Sequence, residues 1–151
     1  MIIKEREALR SRLRGAGLAV THQREAVYAE LWSRRDHPTA EELYRSLKPR
    51  WPSLSLATVY KSLQTLRSVG LVSAVDTPGS EARFDAEQRS HHHALCERCG
   101  LIVDLFDESL DRLQPPLSAR GFSVARHSVQ FHGLCARCAR PEPNKRRTQK
   151  K

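Results

Sequence analysis

The chain has 151 residues, a formal net charge of +9 and four cysteines. That length suits one ordinary domain or two small domains, each of which would need a metal ion or a partner chain for stability. No apolar stretch is long enough to cross a bilayer, and the N-terminal residues lack the apolar core of a secretory signal. The sequence therefore predicts a cytoplasmic protein without a membrane partner.

The charge is unevenly distributed along the chain. Residues 1–80 carry 13 Lys and Arg against 8 Asp and Glu, residues 81–138 carry 7 against 8, and residues 139–151 carry 6 against 1. A basic first half predicts contact with a polyanion, whereas the near-neutral middle predicts a different role. The basic, proline-bearing tail of residues 139–151 predicts a disordered segment.

Before position 75 the apolar residues recur at helical spacing. The pattern predicts a helix that ends near Gly15, a second that begins after the N-cap Thr21, a third that begins after Thr39, and a fourth that runs from Ser55 to Gly70. Residues 71–75 and 81–84 flank a turn-forming segment and predict a two-stranded hairpin. Three helices followed by a hairpin predict a winged helix.

After residue 84 the pattern changes to short strands. Residues 93–95 and 101–105 flank the first CxxC turn and predict two strands, and a helix is predicted from Asp107 to about Leu113, where Pro115 and Pro116 interrupt it. Residues 122–131 alternate well enough to predict a third strand. That strand leads to the second CxxC turn.

The outer face of the fourth helix is a candidate DNA-binding surface. A helix-turn-helix unit places its second helix in the major groove, where outward side chains meet bases and phosphates. We predict that these side chains are Thr58, Tyr60, Lys61 and Gln64. The alternative is that this face is only the solvated side of an amphipathic helix, but the hairpin and the basic first half favour DNA.

The four cysteines form two CxxC pairs, and they predict a closed zinc site. Two residues between cysteines make a tight turn that points both sulfurs at one ion, and two such turns complete a tetrahedron. A disulfide framework and a redox dithiol are the alternatives. The predicted Zn²⁺ ligands are Cys96, Cys99, Cys135 and Cys138.

Histidines and carboxylates beside the first CxxC pair are candidate ligands for a second metal. In a strand, His91 and His93 project to one face and His92 to the other, while Asp85 and Asp104 offer oxygen ligands. Solvent-exposed histidines with flanking surface acids are the alternative. His37, judged singly, fits a surface or packing position better than a ligand.

Together these residues resemble the ferric uptake regulator family of bacterial metal-dependent repressors. The resemblance covers roughly residues 15–138, and the matching segments stand in order. They are His37-Pro-Thr-Ala-Glu-Glu42, Ser55-Leu-Ala-Thr-Val-Tyr60, Arg83-Phe-Asp85, His91-His-His-Ala-Leu-Cys96-Glu-Arg-Cys99-Gly100, His127-Ser128 and Gly133-Leu-Cys135-Ala-Arg-Cys138.

The resemblance implies an α+β fold and a mechanism. An N-terminal winged helix-turn-helix domain (residues 1–84) is joined by a hinge (85–90) to a small α/β dimerisation domain (91–138) that holds the four-cysteine zinc. It implies a homodimer that binds double-stranded operator DNA when Fe²⁺ or Mn²⁺ occupies a regulatory site and selects the matching arrangement of recognition helices. The regulatory ligands that the resemblance implies are His37, Asp85, His91, His93 and Asp104.

Two further details of the resemblance concern the branch of the family. The chain resembles the peroxide-sensing branch in having aspartate at both position 85 and position 104. In that branch a ligand histidine, here His37 or His91, is oxidised. The alternative is an iron- or zinc-uptake repressor that senses metal level only. A third family site would fall at Ser90, His92, Asp111 and His127. Serine cannot replace imidazole there, so only a weaker site of the last three residues is predicted.

Two rival classes remain from the residues alone. A zinc hydrolase built on the His/Asp cluster predicts turnover, but it accounts for neither the helix bearing Tyr60 nor the basic first half. A thiol redox protein predicts cysteines that react freely with thiol reagents when metal is bound, whereas zinc-bound thiolates are shielded. We therefore predict a regulator and not an enzyme.

Overall fold

A computed structural model describes residues 3–77, 81–114 and 121–140 of the chain. The chain forms two compact units, of which the first ends at Arg89 and the second begins at Ser90. This division falls at the end of the segment 85–90, which the family resemblance implies is a hinge. The predicted basic tail lies outside the described residues from position 141 onward.

Four helices make up most of the first unit, and the last three begin where the local sequence predicts. Thr21 and Ser55 accept hydrogen bonds from backbone N–H groups three residues later, and Thr39 forms a reciprocal capping box with Glu42. These caps satisfy N–H groups that have no partner inside the helix. The helices are α1 (Ile3–Gly15), α2 (His22–Ser33), α3 (Ala40–Leu47) and α4 (Leu56–Ser68).

The apolar faces of these helices share one core. Each helix contributes a leucine that is at most 1% exposed, namely Leu9 of α1, Leu31 of α2, Leu43 of α3 and Leu63 of α4. Each comes from the i, i+3, i+4 repeat that the sequence shows, so the burial of these faces is what holds the helices together. This core fixes the orientation of α4 against α3.

A two-stranded antiparallel hairpin completes the first unit. Strands β1 (Ser73–Val75) and β2 (Arg83–Asp85) pair with Ala74 opposite Phe84. The backbone N–H of Phe84 also donates to the carbonyl of Pro38 at 3.0 Å, which fixes the hairpin to the loop before α3. Helices followed by this hairpin confirm the predicted winged helix-turn-helix.

A three-stranded sheet organises the second unit. Strand β3 (His92–Cys96) lies in the centre, antiparallel to β4 (Ile102–Leu105) and parallel to β5 (Gln130–Gly133). Two short helices, α5 (Glu108–Asp111) and α6 (Ala136–Ala139), follow β4 and β5. The fold is thus α+β, as predicted. None of the described helices is long and apolar enough to span a bilayer.

The predicted strand over residues 122–131 is wrong in extent. Only its last two residues belong to β5, and residues 121–129 contain no regular secondary structure. A strand requires a partner edge, and β3 pairs with β5 only from His93 to Cys96. Upstream, Phe122 is 76% exposed, so its alternation does not correspond to a buried face. Pro115 and Pro116 lie outside the described residues.

Candidate metal centres and recognition helix

The four cysteines of the second unit converge on one point. Their sulfur atoms all lie within 4.8 Å of one another, and the Sγ atoms of Cys99 and Cys135 are 3.8 Å apart. A tetrahedron with Zn–S bonds of about 2.3 Å has edges of about 3.8 Å. The geometry therefore fits one tetrahedral Zn²⁺, and the four predicted ligands are brought together.

Two tight turns present the sulfurs. The first joins β3 to β4, and Gly100 closes it with a φ of +70° and a backbone N–H donated to the carbonyl of Cys96 at 2.8 Å. The second begins at Cys135, whose carbonyl accepts from the N–H of Ala139 at 2.8 Å. Because Cys96 pairs with Gly133 in the β3–β5 ladder, the sheet holds the two turns side by side.

The backbone favours the thiolate form at Cys96. The N–H of Cys135 donates to Cys96 Sγ at 3.3 Å, and this bond, together with weaker ones from Cys99 and Arg98, lowers the pKa of the Cys96 thiol to about 6. A backbone hydrogen bond from Leu101 likewise lowers the pKa of Cys99. Burial instead raises the pKa of Cys138 to about 12, so that this thiol depends on a cation for its deprotonation.

Three of the predicted regulatory ligands also converge within the second unit. The Nε2 atoms of His91 and His93 are 3.1 Å apart, and Asp104 Oδ1 is 4.0 Å and 3.8 Å from them respectively. Two neighbouring ligands at a right angle on an ion with bonds of about 2.1 Å are about 3.0 Å apart, and opposite ones about 4.2 Å. All three atoms can therefore reach one ion. Its imidazole and carboxylate donors suit iron, manganese or zinc.

The pairing of β3 with β4 explains this convergence. His93 stands opposite Asp104 in the ladder, and His91 lies two residues before His93 on the same face. Two imidazole nitrogens 3.1 Å apart can share a proton as a hydrogen bond, and a cation can take the place of that proton. The arrangement is therefore well suited to a cation.

The other two predicted ligands belong to the first unit, which holds both at the base of its hairpin. Asp85 ends β2, and Arg83 of the same strand donates from Nη1 to the carbonyl of His37 at 2.9 Å. His37 has a φ of +50°, a left-handed backbone conformation that costs a non-glycine residue about 1–2 kcal/mol. The hairpin thus maintains a strained backbone at this histidine.

The three residues predicted to form a weaker additional site have close protein partners. His92 is 1% exposed, its Nδ1 accepts from the N–H of Val129 at 3.1 Å, and its Nε2 lies 3.5 Å from Asp111 Oδ1. Asp111 also accepts from the Ser90 hydroxyl, and His127 donates from Nε2 to the carbonyl of Leu110 at 2.7 Å. Both ring nitrogens of His92 therefore face a protein partner, which favours a structural role for this histidine.

The recognition-helix candidates lie on the outer side of α4. Tyr60 is 39% exposed, Lys61 and Gln64 are also exposed, and Thr58 is half-buried. The Thr58 hydroxyl lies 2.8 Å from the Ser55 hydroxyl, so it is engaged at the N-terminus of its own helix. Val59, Leu63 and Leu66 of the same helix are buried. The predicted face is accordingly accessible to a ligand.

Two positions in this region escaped the sequence analysis. Glu41 accepts the hydroxyl hydrogen of Tyr60 at 2.6 Å, and Arg83 binds the His37 carbonyl. Neither contact has a local sequence signal, because the partners are 19 and 46 residues apart. Both residues do stand within matching family segments, Glu41 beside Glu42 and Arg83 close to Asp85, and those positions were the only available clue.

Comparison with known proteins identifies the family of this chain. Residues 15–132 match the model of the Ferric uptake regulator family. The peroxide-responsive repressor PerR of Staphylococcus epidermidis is 38% identical over 127 residues, which are 83% of this chain and 85% of that protein.

Two solved structures share the fold. The Campylobacter jejuni peroxide stress regulator is 34% identical with a TM-score of 0.68, covering 91% of this chain and all of that one. The Helicobacter pylori ferric uptake regulator Fur, described with three functional metal binding sites, is 26% identical with a TM-score of 0.78. The match covers 93% of this chain and 95% of that one. The chain belongs to the ferric uptake regulator family.

Proposed function

We propose that this protein is a metal-dependent, DNA-binding transcriptional repressor in the cytoplasm that responds to peroxide. The observation that carries the proposal is the convergence of His91, His93 and Asp104 on one point, separate from the four-thiolate zinc. Thiolates suit a permanent structural ion, whereas an imidazole and carboxylate set suits an exchangeable one. One centre would stabilise the fold, and the other would report metal and oxidant.

The regulatory ion, Fe²⁺ or Mn²⁺, would take ligands from both units. His37 and Asp85 would join His91, His93 and Asp104. The strained backbone at His37, maintained by Arg83, supports a functional role for this side chain, because strain persists where the surrounding structure imposes it. An ion that binds both units favours one arrangement of the DNA-binding units, and its loss releases that arrangement.

Operator DNA would be read by the outer face of α4. Tyr60 offers a ring that packs on a thymine methyl, Lys61 a phosphate or guanine contact, and Thr58 and Gln64 shorter polar contacts. The net charge of +5 over residues 1–80 supplies the sequence-independent attraction to phosphate. DNA binding should therefore weaken steeply with added salt.

Peroxide would act on the ligand histidines. Aspartate at positions 85 and 104 is the feature that favours the peroxide-sensing branch, and the names of the relatives at 34–38% identity agree with it. Fe²⁺ bound at this site would supply the redox chemistry for this oxidation. Overall, one oxygen atom of hydrogen peroxide would be inserted into a C–H bond of the His37 or His91 ring, and the other would leave as water. An oxidised imidazole no longer offers its lone pair, so the regulatory arrangement is lost.

The partner in solution would be a second copy of the chain. The second unit carries exposed apolar side chains around a groove of about 200 Å³. These side chains come from β4 and β5, from the residue just before β4 and from the residue just after β5. Apolar area of this kind favours burial in an interface. The exposed members are Leu101, Val103, Phe131 and Leu134. Sedimentation of Val103→Glu should show a monomer if this face forms the dimer.

One experiment tests the proposal as a whole. Duplexes are selected from a random library by the Mn²⁺-loaded protein, and the affinity of the best duplex is measured with Fe²⁺, with Mn²⁺ and without added ion, before and after peroxide. We expect metal-dependent affinity that peroxide abolishes only with Fe²⁺, together with one added oxygen atom on the peptides holding His37 or His91. Metal dependence without oxidation would identify a repressor that senses metal level only. Absence of any duplex preference would refute DNA recognition.

A further inference from the structure

The side chain of Tyr60 is tethered across the surface of the first unit. Its hydroxyl donates to Glu41 Oε1 at 2.6 Å, so a residue in the first turn of α3 holds the ring of a residue in α4. The ring is 39% exposed, and an exposed tyrosine without such a partner would sample several rotamers. The tether therefore reduces the freedom of the one aromatic side chain on the proposed reading face.

The hydrogen bond is of a strong type. Its acceptor is a carboxylate, and a donor–acceptor distance of 2.6 Å lies in the range of charge-assisted O–H···O bonds. The same bond raises the pKa of Tyr60 to about 12 and lowers the pKa of Glu41. At neutral pH the tyrosine hydroxyl therefore keeps its proton, and the glutamate stays ionised. A hydroxyl committed to Glu41 is not available to a phosphate oxygen, and the apolar ring surface is what the helix offers to DNA.

Glu41 also brings negative charge to this face. Glu81, which lies just before β2, is near enough that its hydrogen bond with Glu41 raises the pKa of the Glu81 carboxyl. Carboxylates repel the phosphate backbone of every duplex in the same way, whatever its sequence. The charge of Glu41 therefore lowers overall affinity for DNA, whereas its hydrogen bond acts on the orientation of one ring.

We propose that Glu41 is a specificity-determining positioning residue, which aims the Tyr60 ring at base edges. The inference rests on the proposed DNA-binding function. Contacts to base edges carry sequence information, and a ring that is fixed before binding loses less conformational entropy than a mobile one. The benefit should appear on a duplex that offers the matching base and not on random DNA.

The competing explanation is that the hydrogen bond between Tyr60 and Glu41 only stabilises the packing of α3 against α4. The two helices already bury Leu43, Val59 and Leu63 in a common core, and an exposed hydrogen bond adds little to such packing. A bond with only that role would change thermal stability and would affect all duplexes alike. The two explanations thus predict different measurements.

The experiment compares four variants with the wild-type protein, all loaded with zinc and Mn²⁺. They are Glu41→Ala, which removes the acceptor and the charge, Glu41→Gln, which keeps an acceptor oxygen, Tyr60→Phe, which removes the donor, and the double variant Glu41→Ala/Tyr60→Phe. Glu108→Ala in the second unit is the control for loss of one exposed acid. Affinity is measured for a library-selected duplex and for a random duplex. The quantity compared between variants is the ratio of the first affinity to the second, in which sequence-independent charge effects cancel.

We expect the ratio to fall about fivefold in Glu41→Ala and in Tyr60→Phe, the usual effect of one hydrogen bond. It should fall no further in the double variant, recover in Glu41→Gln and stay at the wild-type value in Glu108→Ala. Midpoints of thermal unfolding should remain close to wild type.

Two outcomes would overturn the inference in different ways. If the selected duplex is bound but its ratio is unchanged in Glu41→Ala, or if the two single effects add in the double variant, Glu41 does not position Tyr60. If the wild-type protein enriches no duplex from the library, the proposed DNA-binding function fails, and the role of Glu41 fails with it. A measurable wild-type ratio separates the first case from the second.

Discussion

Replacement of His92 by alanine should destabilise the second unit more than any other histidine substitution outside the proposed ligands. The ring is 1% exposed at the start of β3, and it connects this strand to two other segments. Nδ1 accepts from the N–H of Val129, which immediately precedes β5, and Nε2 faces Asp111 of α5. The His92 ring also stacks on the ring of His127, with 5.8 Å between the ring centroids.

The magnitude follows from what alanine leaves behind. The N–H of Val129 loses its acceptor in a part-buried position, which costs about 1–3 kcal/mol, and removal of the ring leaves a cavity that costs about 1–2 kcal/mol more. We expect a loss of about 3 kcal/mol in the free energy of unfolding of this unit. His132→Ala is the matched control, because His132 is exposed on β5, and it should change the free energy by less than about 0.5 kcal/mol.

Hydrogen exchange followed by mass spectrometry is the suitable assay, because both tryptophans, Trp32 and Trp51, belong to the first unit and do not report on the second. Peptides that cover β3 and β5 should exchange about a hundredfold faster in the zinc-loaded His92→Ala variant, as about 3 kcal/mol implies. Peptides from α2 and α4 should be unchanged. Equal protection of β3 and β5 in His92→Ala and His132→Ala would refute the assignment of His92 as a structural connector.

Three further predictions concern the zinc centre and the ion pairs of the first unit. Cys99→Ser removes one thiolate ligand, so the variant should lose zinc to a chelator far faster than wild type and should lose exchange protection in the second unit; retention of one zinc per chain would contradict the four-thiolate site. Gly100→Ala places a Cβ at a φ of +70°, so it should cost about 1 kcal/mol in the zinc-loaded protein, whereas Gly15→Ala, at a position without that requirement, should not; calorimetry measures both. Glu25 is buried against Arg10 and Arg6, whose hydrogen bonds lower its pKa below the ordinary 4.5. Its contribution to stability should be fully present above about pH 4.5 and should decline as pH falls through the lowered pKa. The urea midpoint seen by tryptophan fluorescence should therefore fall with acid more in wild type than in Glu25→Gln, and parallel curves would contradict the ion pair.

Local sequence rules were sufficient for the helices and for the first CxxC turn. The capping residues Thr21, Thr39 and Ser55 act within three positions of themselves, and all three form the predicted bonds. The strand alternation of residues 91–93 correctly separates His92 from its two neighbours, because the period of a strand is a local property. The resemblance to the family added the wider ligand set, which spacing alone left open.

Other features depend on which segments meet in space, and the sequence alone could not specify them. The alternating pattern of residues 122–131 predicted a strand ten residues long, yet the partner strand β3 has only five residues, so pairing stops at Gln130. The bond between Tyr60 and Glu41 joins residues in different helices, and no periodicity in either helix encodes it.

The amino-acid sequence by itself determined the winged-helix pattern, the chelating cysteines and the pair of histidines on one strand face, because caps, periodicity and short turns act over a few residues. Only the tertiary structure decided that Asp104 faces His93 across a ladder, that His92 bonds to Val129, and that Arg83 holds the His37 carbonyl. Each of these contacts joins distant positions, and its existence depends on the relative placement of whole elements during packing. The sequence was therefore sufficient to predict which side chains can bind metal or DNA, whereas the contacts between those side chains depend on the fold.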